Sequence, residues 1–87
     1  MRNLSVLNDW GRLIYTADGI QIDPASIKKV FFGGKKYDVK LKTVPYSYSD
    51  WGITNSVMQT RIYINQKGLL VDLTENMLSG TNVKLVS

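Results

Sequence analysis

Residues 28–42 read KKVFFGGKKYDVKLK, and this stretch carries both the clearest fold signal and the charge of the chain. Gly33 and Gly34 separate Val30-Phe31-Phe32 from a segment in which Tyr37, Val39 and Leu41 alternate with Lys36, Asp38, Lys40 and Lys42. Successive side chains of a strand point to opposite faces, so a period of two marks a half-buried antiparallel strand. A Gly-Gly pair suits the positive φ angles of a tight hairpin turn. The pattern therefore predicts a hairpin whose second strand, Lys36–Thr43, has one apolar and one cationic face.

The same period recurs outward from this hairpin. Met58, Thr60, Ile62 and Ile64 alternate with Gln59, Arg61 and Tyr63, and shorter strands are expected at Leu4–Leu7, Arg12–Thr16, Leu69–Leu73 and Val83–Val86. Asn8-Asp9-Trp10-Gly11, Ala17-Asp18-Gly19 and Asn65-Gln66-Lys67-Gly68 are turn signals, the last a four-residue or bulged hairpin loop with Gly68 left-handed. Helical signals are short: Asp23-Pro24 starts one or two turns towards Lys29, and Thr74–Gly80 resembles one capped turn. Val44–Ser56, VPYSYSDWGITNS, has a proline, few aliphatic residues and four Ser or Thr, and reads as a long irregular loop. The expectation is a single all-β domain over residues 1–87, a small antiparallel barrel or sandwich of six to seven strands and SH3- or OB-like size.

The charge is concentrated. Lys28, Lys29, Lys35, Lys36, Lys40 and Lys42 face one acid, Asp38, within residues 28–42, a net of +5. The other 72 residues hold five basic and six acidic side chains. A local field of this kind selects an anionic partner more than it sets solubility. The plain alternative is a solvated strand face whose lysines discourage edge-to-edge pairing.

Catalytic chemistry finds little to work with. The chain has no Cys and no His, so the commonest general base, thiolate nucleophile and metal ligands are missing. Asp9, Asp18, Asp23 and Asp50 sit beside turn residues, where Asp normally caps or initiates turns. Asp18–Asp23 lacks the ligand density of a calcium loop, and Gly33-Gly34-Lys35-Lys36 lacks the spacing and the following helix of a phosphate loop. No enzyme, metal or cofactor is expected.

Two surfaces remain as binding candidates. One is the basic hairpin, with Lys28, Lys29, Phe32, Lys35, Lys36, Lys40 and Lys42; the other is the loop with Tyr46, Tyr48 and Trp51. Tyr46 and Tyr48 alternate with serine and are expected to be exposed, in the composition of adaptable recognition surfaces. Trp51 is read first as a plug at the end of the core and second as a contact, and Trp10 as a core lid. A protein partner is favoured, with the chain acting as a small inhibitor or adaptor on a larger macromolecular machine. The alternative is a nucleic-acid-binding barrel, with lysines on phosphates and aromatics on bases. A small anionic ligand such as a nucleotide ranks third.

No apolar run approaches the roughly 18 residues of a membrane span, and MRNLSVLNDWGRLIY is not a secretory signal. A cytoplasmic location is expected, in a cell or in an infected host. The size and composition are compatible with a viral accessory protein, and self-association is open to so small a domain.

Overall fold

The computed structural model describes residues 1–86. It is an antiparallel β structure of nine strands, one 3-10 turn and one short helix. The strands are β1 (Arg2–Asp9), β2 (Arg12–Ala17), β3 (Ile20–Ile22), β4 (Lys29–Phe32), β5 (Lys35–Asp38), β6 (Lys40–Asp50), β7 (Ile53–Gln66), β8 (Leu69–Asp72) and β9 (Val83–Val86). They form two sheets and not a closed barrel: a six-stranded sheet in the order β3-β2-β1-β9-β4-β5, and a three-stranded sheet β6-β7-β8. The helix α1 (Leu73–Leu78) follows β8 directly.

Five turns share one device. Trp10-Gly11, Asp18-Gly19, Gly33-Gly34, Trp51-Gly52 and Lys67-Gly68 each place both residues at positive φ, the requirement of a two-residue hairpin loop that matches strand twist. The loop before β8 is therefore shorter than a four-residue turn: Gln66 pairs with Leu69 across Lys67-Gly68.

The main departure from expectation is Val44–Ser56. It is not a loop but the far half of the longest hairpin, in which β6 and β7 pair without a bulge from Lys40↔Tyr63 to Asp50↔Ile53. Pro45 is tolerated for a geometric reason. In a two-residue hairpin the pair flanking the turn exchanges both hydrogen bonds, and the pairs then alternate. Counting back from Asp50↔Ile53, Tyr48, Tyr46 and Val44 bond to β7, while Ser49, Ser47, Pro45 and Thr43 aim their backbone groups away from it. Proline lacks only an N–H that would have pointed outward.

The core lies between the six-stranded sheet and its cover of β7 and α1. Leu4, Tyr15, Ala17, Val30, Val83 and Leu85 meet Ile62, Ile64, Leu73 and Met77 there, with Ile27 from the turn before β4. Where β8 ends, the edge of β7 would be left with bare polar groups in this core. Ile62 N–H donates to Thr74 Oγ1 (2.9 Å), and the Tyr15 hydroxyl donates to the Thr60 carbonyl (2.7 Å). Tyr15 and Thr74 oxygens lie 2.9 Å apart. Tyr15 spends its one proton on Thr60, so the Thr74 hydroxyl donates to Tyr15.

Burial pushes the Tyr15 phenol above its ordinary pKa, partly opposed by the Thr74 hydrogen bond. The phenol's contribution is therefore complete below the unfolded value of about 10 and is lost as pH rises through the higher folded value. Tyr15→Phe is expected to destabilise the fold by about 1–3 kcal/mol at neutral pH, because the Thr60 carbonyl loses its donor. Denaturant titrations should show the gap between wild type and variant narrowing above about pH 10.

Candidate functional site

The β6–β7 hairpin is held by one face at its base and by the other farther out. Ile62 and Ile64 enter the core, whereas the face with Tyr46, Tyr48, Val57 and Gln59 lies on the Trp10-Gly11 turn between β1 and β2. Gly11 is what lets the two hairpins meet. A Cβ there would stand 2.8 Å from Val57 Cγ2, 3.2 Å from Tyr46 Cδ2 and 3.4 Å from Tyr48 Cδ1.

A polar strut fixes the same joint. Gln59, 1% exposed, donates from Nε2 to the Gly11 carbonyl (2.7 Å) and accepts from Arg61 Nε at Oε1 (3.0 Å). Arg61 Nη1 reaches Asp72 Oδ2 at 2.7 Å and Glu75 Oε2 at 3.2 Å. Burial of the guanidinium opposes its charge, but the bonds to Asp72 and Glu75 outweigh this and raise its pKa. Asp72 also caps α1, accepting from Glu75 N–H at 3.0 Å. The first turn of α1 is thus tied through Arg61 and Gln59 to the backbone of the Trp10 turn.

Beyond this joint the hairpin continues as a two-stranded arm. Tyr46 and Tyr48 stack with ring centroids 6.4 Å apart and planes 26° from parallel. Together with Asn8, Trp10, Gly11 and Ser49 they line an open cleft of about 290 Å³. Trp10 is 69% exposed at the rim, and Trp51 at the tip is 94% exposed, with Ile53 (64%) beside it. Trp51 sits at φ 53 and Trp10 at φ 50, a left-handed backbone that costs a non-glycine residue about 1–2 kcal/mol. The sequence places its two bulkiest side chains at strained turn positions where they fill no core.

Comparisons with protein-family models, with curated proteins and with solved structures find no match.

The expected sites are redistributed. Tyr46 and Tyr48 are half-buried, with one flank on Gly11 and the other on the cleft. Trp51 plugs nothing and Trp10 is no core lid, which reverses both of those expectations. Phe32 is a packing residue: it shares a face with buried Val30, packs on the core and meets the Tyr37 ring at 6.4 Å. Phe31 takes the outward position instead.

The lysines do not form one stripe. The chain leaves the six-stranded sheet at Val39, whose N–H donates to the Lys28 carbonyl (3.0 Å), so Lys36 lies on β5 while Lys40 and Lys42 lie on β6 of the other sheet. Lys29 is 3.6 Å from the Asp38 carboxylate, Lys35 sits 5.7 Å over the Tyr37 ring, and Lys42 sits 5.6 Å over Tyr63. From Val44 to Gln59 the only charged residue is Asp50, so the arm and the cations are separate surfaces.

Asn8, Trp10, Gly11 and Gln59 join the site although the sequence marks the first three only as a turn, with Trp10 a core lid, and Gln59 only as a strand position. One signal for them exists: Asp-Trp-Gly occurs at both 9–11 and 50–52, and both copies are hairpin turns. No group of three or more metal-ligating side chains occurs among the described residues, and no helix is long and apolar enough to cross a membrane.

Proposed function

We propose that this chain acts by binding another protein, as a small inhibitor or adaptor, and that the β6–β7 arm with its cleft is the contact surface. The observation that carries the reading is Trp51: an indole 94% exposed, at a turn position with φ 53 that disfavours it. Strained backbone positions cluster at functional sites, and unlike Asp18 and Lys67 in the equivalent turns, Trp51 brings a large apolar side chain that the fold leaves in solvent. Trp and Tyr are the residues that anchor protein interfaces, and Ser, Asn and Gly around them supply adaptable hydrogen bonds. The arm has this composition throughout, and its joint to the body is closely packed and hydrogen-bonded. Binding of the captured partner, compared between wild type, Trp51→Ala and Tyr48→Ala, tests the assignment.

A second reading, single-stranded nucleic acid, is favoured by one specific arrangement on the outer face of the six-stranded sheet. Register places Asn3, Lys84, Phe31 and Lys36 side by side across β1, β9, β4 and β5. An aromatic between two lysines is the unit that stacks a base and holds its phosphates. Lys84, however, is engaged by the Asn3 side chain, and the Lys29–Asp38 pair adjoins the row. Anisotropy titrations with labelled single-stranded DNA and RNA at physiological salt are expected to show no binding in the micromolar range. Affinity falling by about 0.7 log units per tenfold salt for each engaged phosphate, and lost in Phe31→Ala and Lys36→Glu, would replace the first reading by the second.

A further inference from the structure

The outer edge of β6 is open. β6 ends the three-stranded sheet, so one side of it has no neighbouring strand. The pairing phase set by the Trp51-Gly52 turn aims the N–H and C=O groups of Ser47 and Ser49 to that side, and both residues are exposed. No bond from these backbone groups to another element occurs among the described residues.

Natural edges are blunted with lysine and proline. Here Lys40, Lys42 and Pro45 guard the near half of β6, and no charge or proline follows from Tyr46 to Ser49 before Asp50 at the turn. Protection stops where the cleft begins. Tyr46, Tyr48 and Ser49 are at once cleft walls and the unguarded edge, with Asn8 and Trp10 facing them from the β1–β2 turn.

Resting on the reading of the arm as a protein contact, we propose that the partner contributes an extended segment that adds as a further strand along Tyr46–Asp50. Its backbone exchanges hydrogen bonds with Ser47 and Ser49. Every second side chain then faces the cleft, and main-chain bonding with side-chain pockets at alternate positions is how strand addition obtains affinity and selectivity. The cleft side chain is uncharged, apolar or aromatic: the walls are two tyrosines, a tryptophan, a glycine, an asparagine and a serine, with no ionised group among them.

The test uses linear random dodecapeptides displayed as a library and selected on the whole chain. Ser47→Pro and Ser49→Pro each delete one outward N–H and leave the β6–β7 bonds in place, as Pro45 already does two residues away. Ser47→Ala and Ser49→Ala keep the N–H. Enriched peptides are expected to bind each proline variant about tenfold more weakly and the alanine variants unchanged. In the wild-type chain, which needs no substitution, the Ser47 and Ser49 amides should exchange more slowly when the peptide is present.

Unchanged affinity in both proline variants, protection at another edge strand, or no enriched peptide overturns strand addition. So does a dimer joined through β6 that forms without peptide and is lost in Ser49→Pro, since the edge then serves a second copy of the chain. Partner binding that survives the proline variants but is lost in Trp51→Ala discards the added strand and keeps the arm as a protein contact. Survival in all three discards both.

Discussion

Trp51→Ala is expected to weaken partner binding by at least about 2 kcal/mol, roughly thirtyfold in Kd, while leaving the fold intact. The two halves of this expectation have separate origins. Trp51 is 94% exposed in the free chain, so its removal opens no cavity and breaks no core contact. On a partner, the same side chain becomes the largest apolar surface the arm can desolvate. Trp51→Asn sharpens the test. Asn tolerates the left-handed backbone that this turn requires, so it should raise stability by up to about 1 kcal/mol while binding is lost. Isothermal titration with the partner and a denaturant melt of the free chain measure the two effects. Loss of stability with unchanged affinity would mean that the indole packs on the fold and does not serve a contact.

Gly11→Ala has the largest expected effect on the fold. Two penalties meet at this residue. Its φ is +85, which disfavours any Cβ, and that Cβ would meet Val57 at 2.8 Å and Tyr46 at 3.2 Å. Left-handed strain costs about 1–2 kcal/mol and overpacking typically about 1–3 kcal/mol, so a loss of about 2–5 kcal/mol is expected. Gly19→Ala isolates the first penalty, because Gly19 has nearly the same φ, +81, with nothing within 4 Å of the added Cβ. The difference between the two melting curves isolates the steric cost of a Cβ pressed against the arm. The arm should also shift off the turn in Gly11→Ala, spreading the cleft and weakening the partner even at temperatures where the chain stays folded. Equal losses at Gly11 and Gly19 would mean that the two hairpins are not pressed together.

Much of the strand content was legible because the signals are local. Alternation in Tyr37–Lys42 and in Met58–Ile64 identifies half-buried strands, and X-Gly pairs mark their turns. The division into two sheets was not legible. Tyr37, Val39 and Leu41 keep their alternation straight through the crossover, which is fixed by the distant contact of Val39 with Lys28. That hidden crossover is also why the lysines read as one stripe. The choice between Phe31 and Phe32 depends on which of them shares a face with buried Val30, a matter of parity against the core. The arm was hidden for a different reason. Its strands draw on Tyr and Ser alternation and on backbone pairing instead of aliphatic burial, and Pro45 argues against a strand until its outward position is known.

The measurement that most directly tests the arm as the contact is site-specific photo-crosslinking. A photoreactive phenylalanine replaces Tyr48 in one preparation and Phe31 in another, each incubated with lysate of the source cells. The account predicts one dominant protein adduct at position 48, suppressed by excess wild-type chain but not by excess Trp51→Ala, and no adduct at position 31. A nucleic-acid adduct at position 31, with nothing specific at position 48, would contradict it and move the function to the outer face of the six-stranded sheet.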